Sequence, residues 1–365
     1  MTKAAIWSLF IIATAAVIWG LVFFKEVFTQ VTLAIILFLG VGGMARWFYQ
    51  KIPGLPKWGA GAVAVALIVT LLGFVMAGIV ENIGAFHAQT DAYQMRLNEL
   101  SDHVYHALGG AGPAPTVQTM LSRIDAGQVL TAIAAGFESI IGNGVFILIY
   151  LGFLLAAASR LPAKLNQLFS DPDERRHARA VITAIRESME QYLWVQTVLS
   201  VITTILTYFT LLALGLDHAL FWAMLIFFLN YIPTVGSILA VALPSLFALV
   251  QFPHVAPALL VALGIAFWQF AIGNVLAPRM TGKSLNLSPL VVLLALAIWG
   301  SIWGITGAFL AAPLTVMIMI ILAQFKPSRW IAILLSADGQ PSVLAAQHGG
   351  ETKADVTARM NPAPQ

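Results

Sequence analysis

The chain has 365 residues, 59% of them apolar and only 10% charged, with a net charge of +3 and no cysteine. A soluble chain carries about 45–50% apolar and about 25% charged residues, and the mean hydropathy here is +0.88. This composition excludes a large soluble enzyme and indicates an all-α, polytopic integral membrane protein. The missing cysteines exclude disulfides, Cys-ligated zinc, iron–sulfur clusters and c-type haem. A mild basic excess in such a chain reads as membrane orientation, with no nucleic-acid partner.

A helix needs about 20 apolar residues to cross the hydrocarbon core. The charge-free gaps predict spans at Ala4–Phe24, Val27–Ala45 and Trp58–Val80, which together make a first segment, 1–80. The first apolar run, 21 residues, is longer than the roughly 7–15-residue core of a cleavable signal peptide. Residues 81–138 form the one long polar stretch outside the membrane. Tyr93, Leu97, Leu100, Val104 and Leu108 recur there at helical spacing, and Gly109–Pro115 ends the pattern, so a small extracytoplasmic helical cap is expected. His103 and His106 stand at a spacing that can serve a metal, but no carboxylate constellation accompanies them, and a solvated face is the expectation. No metal and no cofactor are expected.

A fourth span is predicted at 139–159. Residues 160–190 are cytoplasmic. Asp171, Pro172, Asp173 and Glu174 suit the first four positions of a helix. Val181, Ile182, Ile185 and Met189 then form one apolar stripe, with Arg175, Arg176, Arg179 and Arg186 available to lipid phosphates. This predicts an amphipathic interfacial helix with membrane lipids as partners. The segment 191–336 opens with a fifth span within Gln191–Leu216. Two long uncharged gaps follow, His218–Pro278 of 61 residues and Ser284–Phe325 of 42. The tail, 337–365, is polar and expected to be disordered.

With the N-terminus in the cytoplasm, 16 of the 19 Lys and Arg residues fall inside, the asymmetry that the positive-inside rule requires. The first long gap must then cross an odd number of times, and the second must enter and return. The economical reading is a hairpin at Ala219–Val250, a span at Ala256–Leu276 and a second hairpin at Leu287–Phe325. The total is about eight membrane elements with both termini cytoplasmic. Re-entrant hairpins and full two-helix crossings fit this pattern equally.

Polar groups are costly in hydrocarbon, so their clusters are candidate sites. The clearest is Asn230, Tyr231, Ile232, Pro233, Thr234, Val235, Gly236 and Ser237. Pro233 lacks an amide donor and Gly236 permits unusual backbone angles, so the helix can open here and offer peptide dipoles to a solute or ion. The alternative is a helix–turn–helix tip packed inside the bundle. A second cluster, Gln269, Asn274, Pro278 and Arg279, ends the next span. A third runs from Gly300 and Ser301 through Gly304, Thr306 and Gly307 to Pro313 and Thr315; its glycines suit a hairpin tip and close helix packing. For these two clusters packing is at least as good a reading as solute contact. Ser237–Val250 and Thr306–Ile320 share a pattern of small residues, then Pro244 or Pro313, then an apolar run, which suggests an internal repeat. Glu138, near Asn143, is a candidate for proton coupling; the competing reading is an interfacial carboxylate. No Ser/His/Asp set, His-x-x-x-His pair or nucleotide-binding loop is present, so no catalytic residues are expected.

The run LNYIPTVGSILAVALPSLFALV, followed by GNVLAPRMTGKSLNLSPLVVLLALAIWGSIWGITGAFLAAPLTVMI, resembles the autoinducer-2 exporter family of bacterial membrane transporters. The resemblance implies export of autoinducer-2 or a similar small solute, a bacterial inner-membrane location, and homo-oligomers, in particular pentamers, with elevator-like movement. Within that family some members resemble sodium(lithium)/proton antiporters. Where relatives carry Glu before the proline of an N-x-x-E-P motif, this chain has Ala277 before Pro278, which weakens a cation-coupling role. On this reading Asn230, Thr234 and Ser237 offer hydrogen bonds beside Tyr231, Pro233 and Gly236 open the backbone, and Gln269 and Asn274 face them. Pro244, Gly304, Gly307 and Pro313 shape the hairpins. A transporter, an antiporter and a non-transporting scaffold are the readings carried forward.

Overall fold

The computed structural model describes residues 3–70, 73, 95, 98–99, 101–102, 105–106, 142–281 and 286–341. Their regular structure is helical, and the one β-bridge among the described residues joins Leu287 to Ser336. The helices are α1 (Lys3–Phe23), α2 (Lys25–Lys51), α3 (Lys57–Thr70), α4 (Gly144–Ala158), α5 (Leu161–Leu168), α6 (Pro172–Ala213), α7 (Ala219–Leu229), α8 (Val235–Gln251), α9 (Val255–Ala271), a π-helix (Ile272–Leu276), α10 (Ala277–Thr281), α11 (Pro289–Gln324) and α12 (Arg329–Leu335). α2, α6, α11 and the stretch Val255–Met280 are long and apolar enough to cross a bilayer, and α4 meets α5 at a 60° bend. Most of the stretch 81–138 expected to form the extracytoplasmic cap, with His103 and Glu138, and also Lys283 and the tail beyond Pro341, lie outside the described residues.

Two boundaries differ from those expected. Lys25 and Glu26 were expected to separate two spans, but only Phe24 interrupts the helix. Its N–H reaches Gly20 O at 2.9 Å, and the Phe28 N–H reaches Phe24 O at 3.0 Å, so helical bonding carries across. The physical reason is local. Lys and Glu are good helix formers, and neither Gly nor Pro lies between Gly20 and Gly40 to stop the helix. Similarly, the helix expected at the cytoplasmic surface and the fifth span are one 42-residue helix, α6. Its start is capped as expected, with Asp171 Oδ1 accepting the Asp173 N–H at 3.0 Å. The arginines proposed for lipid phosphates make contacts within the chain. Arg175 donates to Ser170 O, Arg176 pairs with Asp173, Arg179 donates to Asn166 Oδ1, and Arg186 donates to Glu190 Oε1.

α11 reverses direction. A straight helix of 36 residues would be about 54 Å long, far beyond the ~30 Å hydrocarbon core. Gly304 leaves helical geometry at φ 63°, ψ −141°. A Cβ added at Gly307 would overlap the carbonyl oxygen of Trp299. Eight residues along a continuous helix would put these groups ~12 Å apart, so the chain folds back at Gly304. The base closes consistently: Ser288 N–H bonds Leu335 O at 3.0 Å and Ala337 N–H bonds Asn286 O at 2.9 Å.

The contacts divide the chain into two compact units, Met1–Gly43 with Ile149–Trp194 and Thr281–Gln365, and Met44–Leu148 with Val195–Met280. In the first, Leu310, Val316, Met319 and Ile320 of the returning half of α11 pack with Ile36 and Leu39 of α2 and Met189 of α6. In the second, Leu211, Trp222, Ile226, Ala240, Phe247, Val261 and Ile265 form the core. In a bilayer such burial exchanges lipid contact for protein contact, so close packing, not water exclusion, holds these cores.

Candidate functional site

The second unit builds a polar site around the tip between α7 and α8. Its two helices are held at their base by Gln251. Its Oε1 accepts the Asp217 N–H and its Nε2 donates to Gly215 O, each at 2.8 Å. At the other end Pro233 cannot continue the helix. The next residue, Thr234, sits at φ 63°, ψ −59°, and the Val235 N–H bonds back to Pro233 O at 2.6 Å. This is a γ-turn of the rare positive-φ kind, a strained conformation for a β-branched residue. Gly236 follows, where a Cβ would overlap the Leu229 carbonyl oxygen. Only glycine permits so tight a return.

Three side chains from neighbouring helices hold the tip. Gln269 Nε2 of α9 donates to Asn230 Oδ1 at 3.0 Å, and Gln196 Nε2 of α6 donates to the Asn230 main-chain oxygen at 2.7 Å. Thr197 and Tyr231 share a hydroxyl–hydroxyl bond of 2.8 Å. Tyr231 is buried, Asn230 and Gln269 are half-buried, and Thr234 is exposed. The Asn230–Gln269 bond uses one carboxamide oxygen and one carboxamide nitrogen. It leaves Asn230 Nδ2 as a donor and Gln269 Oε1 as an acceptor, a couple suited to a neutral polar group. One turn beyond Gln269 the helix widens into the π-helix Ile272–Leu276, a feature that recurs at functional sites.

The structure thus brings Asn230, Tyr231 and Gln269 together, with Pro233, Thr234 and Gly236 forming the turn above them. Ser237 is half-buried on the first turn of α8. Asn274 does not join. It is exposed and donates to Phe270 O of its own helix at 3.0 Å. Five residues of helix, the last of them in the wider π-turn, carry the chain well past a full turn from Gln269, so Asn274 lies off its face. Gln196 and Thr197 went unrecognised because they lie inside an apolar run with no motif around them. The one available signal is an amide near the start of the segment expected to hold the fifth span.

The other shaping residues fall where backbone geometry needs them. Pro244 and Pro313 are buried inside α8 and α11, and Gly304 and Gly307 make the second turn. Around that turn polar contacts are few. Ser301 bonds its own helix at Ala297 O, and Trp303 Nε1 donates to Leu21 O at 3.1 Å. The first unit also contains a buried carboxylate that the charge-free-gap argument placed in the cytoplasm. Glu190 is 5% exposed and accepts from Arg186 Nε at 2.7 Å. Gly42 and Gly43 of α2 make room for it, since a Cβ at Gly42 would lie 2.9 Å from Glu190 Oε1.

Comparison with known proteins gives a consistent result. A family model described as "AI-2E family transporter" matches residues 9–326. The AI-2 transport protein TqsA of Escherichia coli K12 is 30% identical over 311 residues, 83% of this chain and 86% of its own length. The candidate transport protein YhhT of the same strain is 26% identical over 319 residues, 87% and 89% of the two chains. A candidate transport protein of Borreliella burgdorferi is 38% identical over 178 residues, 48% of each.

Proposed function

The chain belongs to the AI-2E transporter family, and from that membership we propose that it exports a small uncharged polar solute, autoinducer-2 foremost, across the bacterial inner membrane. The observation that carries this reading is the Asn230–Gln269 couple, a neutral donor and acceptor at the mouth of a strained turn, with no charged side chain among its hydrogen-bond partners. A furanosyl solute presents hydroxyls that match such a couple, whereas a bare cation would call for carboxylates. The relative TqsA is named for AI-2 transport, which fits the same choice. In this proposal the tip alternates between the two sides of the membrane by an elevator-like movement, and the working form is a homo-oligomer, a pentamer being the expectation.

The test is autoinducer-2 flux into proteoliposomes of the purified protein, with and without imposed proton and sodium gradients. Flux that is lost in Asn230→Leu supports the reading; equal flux in the two proteins overturns the site. A second reading, sodium(lithium)/proton exchange, draws on the buried Glu190. Proton movement on adding sodium or lithium, lost in Glu190→Gln, with no autoinducer-2 flux, would make it the better one.

A further inference from the structure

Beyond the tip, α6 carries hydroxyls that its fold does not use. Ser200 and Thr207 are fully buried at 0% exposure, and Thr204 is partly buried. The side-chain oxygens of all three are shielded from solvent, and none has a hydrogen-bond partner. In an apolar helix a Ser or Thr hydroxyl ordinarily donates to its own chain one turn back. Neighbours on this helix do so: Thr203 bonds Leu199 O and Thr210 bonds Leu206 O, each at 2.8 Å. Buried hydroxyls that forgo that bond are exceptions that ask for an explanation.

Their placement supplies one. At about 100° per residue, Ser200, Thr204 and Thr207 share one face of α6. Gln196 and Thr197, which hold the hairpin tip, bracket that face at one end. Leu211, packed in the core with Trp222 and Ile226 of α7, continues it at the other. The face toward α9 is a different one, marked by Val195 and Leu199 against Trp268 and Ile272. The hydroxyls therefore line the seam between α6 and the α7–α8 hairpin, over ~15 Å of helix from Thr197 to Thr207. That hairpin is tied at its base by Gln251. Its tip carries a strained turn and three side-chain bonds.

We propose that this face is a hydroxyl-lined lane for a neutral, hydroxyl-bearing solute, closed in the present structure and uncovered when the hairpin tip swings away from α6. The lane rests on the transport reading above and extends the site from the tip along the helix. Its chemistry selects against ions. Three hydroxyls on successive turns can each donate and accept, and no charged residue stands among them.

The cysteine-free chain allows a direct test with single-cysteine variants Ser200→Cys, Thr204→Cys and Thr207→Cys in reconstituted protein. The probe is a neutral, hydroxyl-bearing methanethiosulfonate, 2-hydroxyethyl methanethiosulfonate, applied to both sides, with Leu199→Cys on the α9 face as the reference. The expected result is labelling of the three lane positions well above that of Leu199→Cys. In the uptake assay, Thr207→Val should lower flux roughly two- to tenfold, the range for one neutral hydrogen bond, and Thr207→Ser should restore it. No labelling above the reference overturns the lane, even where parent flux is intact. Labelling with unchanged flux in Thr207→Val overturns a solute lane in favour of a merely hydrated seam. Labelling of the three variants, with no autoinducer-2 flux in the parent protein, leaves the lane standing and removes that substrate.

Discussion

At Thr234 and at Gly304 the chain turns back on itself, and a glycine just beyond each turn lies against the carbonyl of the incoming helix. Gly236 meets Leu229, and Gly307 meets Trp299. A buried proline follows in both returning helices, Pro244 and Pro313. The surroundings then diverge. The first tip is held by Gln196, Thr197 and Gln269, all side chains that can exchange their partners for a solute. The second is held by a tilted contact between the Trp299 and Trp303 indoles, 5.0 Å between ring centres, and by a Trp303 bond to the backbone of α1. Its returning half is buried at Gly307, Leu310–Pro313, Thr315, Val316, Met319, Ile320 and Ala323. One backbone device therefore serves two ends. Where the wrapping is polar it makes a candidate site, and where it is apolar it packs the turn against α1.

The largest effect expected of any single change tests the device itself. Gly307→Ala places a methyl group inside the Trp299 carbonyl, with Trp303 Cβ at 2.9 Å leaving no escape. A loss of about 3 kcal/mol follows from such overpacking, read as a lowered Tm by intrinsic tryptophan fluorescence in detergent. Gly236→Ala should behave alike. Gly273→Ala, with nothing within 4 Å of the added atom, should melt with the parent. Parent-like melting of Gly307→Ala would show that the fold-back is looser than described.

Next comes the asymmetry in chemistry. Asn230→Leu strands the Gln269 amide, while Gln196 keeps its bond to the main-chain oxygen; the group left unpaired costs about 1–3 kcal/mol, and flux should be abolished while the protein stays monodisperse. Trp303→Phe removes the bond to Leu21 O and should cost about 1 kcal/mol with flux retained. If Trp303→Phe lost transport and Asn230→Leu kept it, the assignment of candidate site and packed turn would be reversed.

How much of this was legible in the sequence follows from the physics of each signal. Apolar runs and proline or glycine breaks mark where helices reverse, so both hairpins and the 230–237 cluster could be read from residue type alone. Helix ends in the absence of breakers could not. Lys25 and Glu26 resemble a loop by charge, yet nothing there stops a helix. The burial of Glu190 was invisible because α6 runs unbroken from its charged start into the apolar segment, and because Gly42 and Gly43, far away in sequence, create its space. Asn274 was grouped with Gln269 by depth, while the angular offset of five residues sets them apart. Gln196 and Thr197 depend on a packing partner 34 residues on, which no local pattern reports.

The smallest expected effect concerns the strain at Thr234, the feature that most separates the two turns, since the other turn places glycine at its positive φ. Thr234→Gly relieves a conformation costing on the order of 1 kcal/mol or more, but it loosens the unfolded chain by about 0.4–1 kcal/mol. The two terms nearly cancel, so its Tm should stay close to that of the parent. Flux separates the roles that strain and hydroxyl play. Thr234→Val keeps the branched side chain and the strain but loses the exposed hydroxyl. If the hydroxyl meets solute, flux should fall roughly two- to tenfold in Thr234→Val and recover in Thr234→Ser. If instead the strain is what makes the tip ready to swing, Thr234→Val transports like the parent and Thr234→Gly is the slow variant. The first outcome places the difference between the hairpins in their side chains, the second in the backbone.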